Sequence, residues 1–238
     1  MDLAASLPHH GFMPKPQDLN FFELSQADLS ELLKHGTERS FKKGEIIFNE
    51  GDEPDCLGMV KEGRVNMCKS TPEGGESLVA FYISGQSFCV AASIINDPFP
   101  CKAVAATKAR VVSISAAKFK GLFDKLPRFA RRLLSEMAPQ FCAAHCDCAM
   151  SMESVERRLA HAVLKLDRQF QGTEIPFTRN ELAQMVNTTV ETCIRNLSEW
   201  EKRGWIESGR GHFRLAERGE LENLIKGTSK IIEFSELF

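Results

Sequence analysis

The chain has 238 residues, 43% of them hydrophobic and 26% charged, with 30 Lys and Arg against 32 Asp and Glu. Those values exclude wholesale disorder, collagen-like repetition and a polytopic membrane protein. No stretch approaches the roughly 20 apolar residues that span a bilayer. The opening MDLAASLPHHGFMPKPQ lacks a cationic start and a continuous apolar core, so it is not a signal peptide. A cytoplasmic protein with no membrane partner is expected. A net charge of −2 gives no bulk attraction to nucleic acid, so any DNA binding must come from a local arrangement. Eight cysteines in a reducing compartment raise metal binding, redox chemistry and plain burial as readings.

Pro8, Gly11, Pro14 and Pro16 break up residues 1–20, which read as a mobile tail. A short amphipathic helix follows, with Ser25 as N-cap and Leu29, Leu32 and Leu33 on its buried face. From Ser40 to about Ser115 the texture becomes short apolar runs cut by glycine. Phe41, Ile46–Phe48, Leu57–Val60, Val65–Cys68, Leu78–Ile83 and Val111–Ile114 are each strand-sized. Their spacing predicts a small all-β sandwich or barrel, the body of a sensor domain over residues 21–125.

From Lys118 the pattern turns helical. Leu134, Met137, Phe141, Ala144, Cys148, Ser151 and Val155 recur in steps of three and four, the spacing of a seam between two helices. Residues 126–154 therefore read as a long dimerisation helix, which Pro139 should kink or interrupt. The alternative is packing onto the chain's own β domain.

Residues 155–238 form a compact helical unit. Val155 to about Phe170 is amphipathic, and Thr178 with Glu181 makes a capping box for a new helix. Met185–Thr189 is a break, Val190–Lys202 a second helix, and Trp205–Leu215 a hairpin. Two short helices around a tight turn, then a hairpin, describe a winged helix-turn-helix. Ala183 is small where the helices touch, and Asn187 sits where the turn needs a left-handed backbone. The DNA-facing set comprises Thr178, Arg179, Thr188, Thr189, Val190, Glu191, Thr192 and Arg195. Glutamate accepts from a cytosine amino group, and arginine can bond guanine in two places. Arg179 and Thr178 are placed to meet phosphates.

FKKGEIIFNEGDEPDCLGMVKEGRV at 41–65 resembles the opening of a cyclic-nucleotide-binding-type β-roll. FTRNELAQMVNTTVETCIRNLSEWEKRGWI at 177–206 resembles the DNA-binding domain of the CRP/FNR transcription regulators, with VETCIR closer to the FNR version. The resemblance runs over residues 21 to 215. It implies an α+β chain: an antiparallel β-roll, a long dimerisation helix and a C-terminal winged helix-turn-helix. It also implies a homodimer on a palindromic double-stranded operator, RNA polymerase as a partner, and no enzyme activity. Glu191 and Arg195 would read bases while Arg179 holds the backbone. Ile194 stands where FNR has serine, Asn196 replaces an apolar residue, and Cys193 takes a core position.

Cyclic AMP is not expected. The family's Gly-Glu-Leu and Arg-Ser contacts correspond to GQSFCVAASIINDPFPCKAVA, which has no glutamate and Lys102 as its nearest cation. FNR holds an iron–sulfur cluster on N-terminal cysteines, and no cysteine precedes Cys56 here. Cys142, His145, Cys146 and Cys148 nevertheless fall within seven residues and offer the donors that soft metals and iron–sulfur clusters take. At about 100° per residue Cys142 and Cys146 share a face, while Cys148 is about 120° away. An intact helix cannot aim all three at one cluster. Either the helix unwinds or Cys148 acts across the dimer, and Cys89 or Cys101 would add ligands. An iron–sulfur cluster leads these readings, then a thiol–disulfide switch, then zinc. Two rivals stay open: an organic effector in the β-roll with incidental cysteines, and a thiol or metal-dependent redox enzyme.

Overall fold

The computed structural model describes residues 33–34, 36–72, 74–125 and 127–226. The expected tail and the helix capped by Ser25, with Leu29 and Leu32, lie outside them. The chain separates into two compact units that divide between Ala138 and Pro139.

The first unit carries eight strands in two antiparallel sheets. They are β1 (Gly36–Phe41), β2 (Ile46–Phe48), β3 (Cys56–Glu62), β4 (Arg64–Ser70), β5 (Glu76–Ile83), β6 (Ser87–Phe88), β7 (Lys102–Ala105) and β8 (Ala109–Ser115). One sheet runs β1-β8-β3-β6 and the other β2-β7-β4-β5. Alternation along the strands sends residues to two cores. Val60 and Val111 join Phe41, Val65, Met67, Phe88 and Ala103 between the sheets. Leu57, Met59, Val112 and Ile114 join Val90, Phe119 and Leu133 on the opposite face. Strands β3 and β8 are thus buried on both faces, which is why they read as continuous apolar runs. Gly58 is required by this packing, since a Cβ there would lie 2.1 Å from the Phe88 ring.

Helices α1 (Val90–Ile95) and α2 (Ala116–Lys125) follow β6 and β8. Helix α3 spans Pro127–Met150 without a break. Of the kink or interruption expected at Pro139, the interruption does not occur: proline removes one amide donor, and its fixed φ is already close to helical. The expected seam is also shorter. Met137 packs against the core around Leu57 and Phe119. Ser151 and Val155 fall beyond the helix end, with Ser154 capping the next helix. Leu134, Phe141, Ala144 and Cys148 remain exposed.

The second unit holds α4 (Val155–Gln169), α5 (Arg179–Met185), α6 (Val190–Lys202), β9 (Ile206–Gly209), β10 (His212–Leu215) and α7 (Arg218–Ile225). Leu159, Val163, Leu166, Leu182, Cys193, Leu197, Trp200, Phe213 and Leu221 are buried in it. Helix α4 packs on α7. Arg157 Nε donates to the Leu224 carbonyl at 3.0 Å, and Arg218 Nη1 to Asp167 Oδ2 at 2.7 Å.

Candidate functional site

The helix-turn-helix is built from its caps inward. Thr178 Oγ1 accepts from the Glu181 amide at 3.2 Å, and Glu181 Oε2 accepts from the Thr178 amide at 2.8 Å. This reciprocal box starts α5. After Met185 the chain turns through Asn187, whose φ of 49° lies in the left-handed region. Asparagine tolerates that region better than most residues. Ala183 is 1% exposed where the two helices meet. Arg158 of α4 then clamps the turn. Its Nε donates to the Val186 carbonyl at 3.0 Å, Nη2 to Asn187 at 3.3 Å and Nη1 to Glu153 at 2.9 Å.

Thr189 caps α6, its hydroxyl accepting from the Thr192 amide at 3.2 Å. The hydroxyls of Thr178 and Thr189, expected to face DNA, are therefore first committed to starting helices. Cys193, Leu197 and Trp200 bury one face of α6, and Glu191, Ile194 and Arg195 are exposed on the other. Thr188, Val190 and Thr192 are half-buried beside them. Arg179 lies 3.6 Å from Glu201, at ion-pair range, and is half-exposed.

The hairpin turns at Arg210-Gly211, with Gly211 at φ 82°. A concavity of about 420 Å³ opens between α5, α6 and this wing, lined in part by Thr178, Arg179, Glu201, Ser208, Arg210 and His212. Arg210 and His212 are the residues that the sequence reading missed. A lone arginine between two glycines in a two-residue turn was the available signal.

The cysteine group has a different geometry. Because α3 stays helical, Cys146 is 5% exposed, Cys142 half-buried and Cys148 exposed. Burial pushes the Cys146 thiol up, Asp147 and Cys142 add to this, and Lys165 opposes it. His145 stands edge-on to Phe141, ring centroids 4.3 Å apart. Cys89 belongs to the β-roll unit, where it caps α1 at φ 63° and burial raises its thiol strongly. Among the described residues no three His, Cys, Asp or Glu side chains gather to hold a metal ion. The expected ligands Cys142, His145, Cys146, Cys148 and Cys89 are not brought together here, for a helix without an unwound turn keeps Cys148 away from Cys142.

Beside the group, Asp147 Oδ2 accepts from Lys165 Nζ at 2.6 Å, and Oδ1 lies 3.1 Å from His161 Nε2. Burial raises the Asp147 carboxyl, but the His161 hydrogen bond and the Lys165 charge outweigh it and hold it below the usual value.

Residues around the expected nucleotide position also differ from what a cyclic phosphate needs. Phe99 is 3% exposed and stacks on Phe48 with centroids 4.0 Å apart. Cys101 packs against the inter-sheet core, and Lys102 is paired with Glu76. These side chains do not fit a buried phosphate, which needs a cation facing it.

A β-roll of two antiparallel sheets, followed by a helix-turn-helix with a wing, defines a two-part architecture whose second part is of a DNA-binding class. The family model for the cyclic nucleotide-binding domain matches residues 38–125, and that for the Crp-like helix-turn-helix domain matches 157–224. The chain is 26% identical to the cyclic AMP receptor protein of Thermus thermophilus, covering 87% of this chain and 96% of that one. It is 25% identical to the fumarate and nitrate reduction regulatory protein of Yersinia pestis, covering 90% and 87%. The solved structure of FixK2 from Bradyrhizobium japonicum shares the fold, with a TM-score of 0.71 at 23% identity over 79% of this chain and 96% of that one. The chain belongs to the CRP/FNR family of transcription regulators. No helix among the described residues is long and apolar enough to cross a membrane.

Proposed function

We propose that this chain is a homodimeric, sequence-specific DNA-binding regulator that reads a palindromic operator through α6. The observation that carries the reading is the exposed stripe of Glu191 and Arg195 on a helix whose turn is capped, left-handed at Asn187 and clamped by Arg158. Glu191 accepts from a cytosine amino group and Arg195 donates to guanine. Arg179 and Arg210, beside the concavity, meet the flanking phosphates. Two α6 helices related by a two-fold axis require half-sites about one DNA turn apart. The second copy packs along α3, on Leu134, Phe141 and Cys148, spaced at intervals of seven. RNA polymerase is the further partner in this reading. Selection of an operator from randomised DNA, followed by titration of Glu191→Ala and Arg195→Ala, tests it. Each variant should lose about 1–3 kcal/mol of base discrimination per half-site. Wild-type binding by both would refute the recognition assignment.

A second reading concerns the signal. Cys142 and Cys146 lie one turn apart on α3, and Cys148 lies on the face that carries Phe141, so a dimer would bring two Cys148 thiols towards each other. A redox or metal signal, an iron–sulfur cluster included, would act there by favouring one packing of the paired helices. Absorption and iron, sulfide and zinc content of protein purified without oxygen test this. A colourless, metal-free protein after reconstitution leaves a thiol–disulfide switch or an organic effector in the β-roll unit.

A further inference from the structure

Ile194 is 38% exposed on the face of α6 that carries Glu191 and Arg195. Among the described residues it is the one large apolar side chain left exposed between Val155 and Lys226. Of the other apolar residues of α6, Cys193 is 0% exposed, Leu197 2% and Trp200 1%, and Val190 at its first turn is half-buried. A branched hydrocarbon on that stripe cannot pair with a phosphate and has no donor or acceptor for a base edge. The one base feature in the major groove that matches it is the C5-methyl of thymine.

We infer that Ile194 reads a thymine methyl in each operator half-site. The inference rests on the proposed DNA-binding function and adds a base identity to it. The geometry also fixes where that thymine lies. Residues three apart on a helix have Cβ atoms about 5–6 Å apart, and base pairs step by about 3.4 Å. Ile194 therefore meets a base pair within two steps of the G·C pair read by Glu191 and Arg195. The polar groups of Thr192 and Asn196 are already engaged at the helix. The Thr192 hydroxyl receives the Thr189 hydroxyl at 3.1 Å, and Asn196 Nδ2 donates to the Thr192 carbonyl at 2.8 Å.

The test keeps the full-length protein and changes the DNA. An operator is selected from randomised duplex, and each thymine of the half-site is replaced in turn by deoxyuridine, which lacks only the methyl. One replacement, within two steps of a G·C pair, should weaken binding about fourfold per half-site and about fifteenfold when made in both, the effect of losing one buried methyl-sized contact. Placing 5-methylcytosine at that position should recover part of the methyl contact relative to cytosine. Ile194→Ala should bind thymine and deoxyuridine operators alike, a loss of discrimination that a purely structural role would not produce. If deoxyuridine is tolerated everywhere, or if Ile194→Ala keeps the wild-type preference, the inference is wrong while DNA recognition stands. Failure to select any operator would instead overturn the proposed function on which it rests.

Discussion

Replacing Phe141 by alanine tests whether α3 pairs with a second copy. The ring projects from the helix with the residue 65% exposed, one heptad from Leu134 at 68%. A large aromatic buries about 150–250 Å² in a core or interface, so about 100–160 Å² of Phe141 is available for burial. At about 25 cal/mol per Å² that amounts to about 2.5–4 kcal/mol per ring. Symmetry removes both rings at once, and incomplete burial together with ordering costs reduces the yield by about half. The dimer should then lose about 2.5–4 kcal/mol, raising its dissociation constant by two to three orders of magnitude. Sedimentation equilibrium on wild type and Phe141→Ala reads this directly. Met152, 90% exposed just past the end of α3, gives the control, and Met152→Ala should leave association unchanged. An unchanged dissociation constant for Phe141→Ala, in a protein that melts normally, would refute pairing along this face.

Four further outcomes are expected. Thr178→Ala removes the acceptor of the α5 capping box and should cost about 1 kcal/mol in thermal or urea unfolding, with Thr178→Asp retaining most of it. Asn187→Gly should be neutral or slightly stabilising at a φ of 49°, whereas Asn187→Val should lose about 1–2 kcal/mol, and equal stabilities would argue against the left-handed turn. Asp147 has its pKa held down in the folded chain, so its contribution is complete above the unfolded value and is lost as pH falls through the folded one. Asp147→Asn should flatten the acid limb of the stability profile by less than about 1 kcal/mol, because the carboxylate is part-exposed to solvent. Burial pushes the thiols of Cys56 and Cys193 to about 11. Alkylation at pH 8 followed by mass mapping should therefore find both unmodified until the protein unfolds.

The helix-turn-helix was almost wholly legible because its signals are local. A threonine three residues before a glutamate, an asparagine at a turn and a glycine after Lys202 each have one economical backbone solution. The β-roll was legible as a class, since glycine-cut apolar runs leave few other folds. Its pairing was not. Strand β7 escaped because its buried residues are alanines, Ala103 and Ala105, whose small side chains carry little hydrophobic signal. Helix α1 escaped because six residues, three of them β-branched and two alanine, do not distinguish helix from strand. Helix α7 was missed because the hairpin before it reads as a natural end, and only Leu221 and Ile225 mark its buried face. Pro139 did not end α3, because one missing donor and a φ compatible with helix leave the remaining ladder intact. At the cysteines, residue type suggested a site, and helical geometry separated what proximity in sequence had grouped.

Arg158 gives the second unit a mechanical property. One guanidinium, rigid and planar, holds carbonyls of Glu153, Val186 and Asn187 together. A lysine in its place would swivel and follow each carbonyl separately; the fork cannot. A displacement of the segment just beyond α3 is therefore passed to the turn ahead of α6 rather than dissipated in a loose joint. The stretch between the two helices acts as a bracket, and the placement of α6 depends on a residue outside the proposed DNA-facing set.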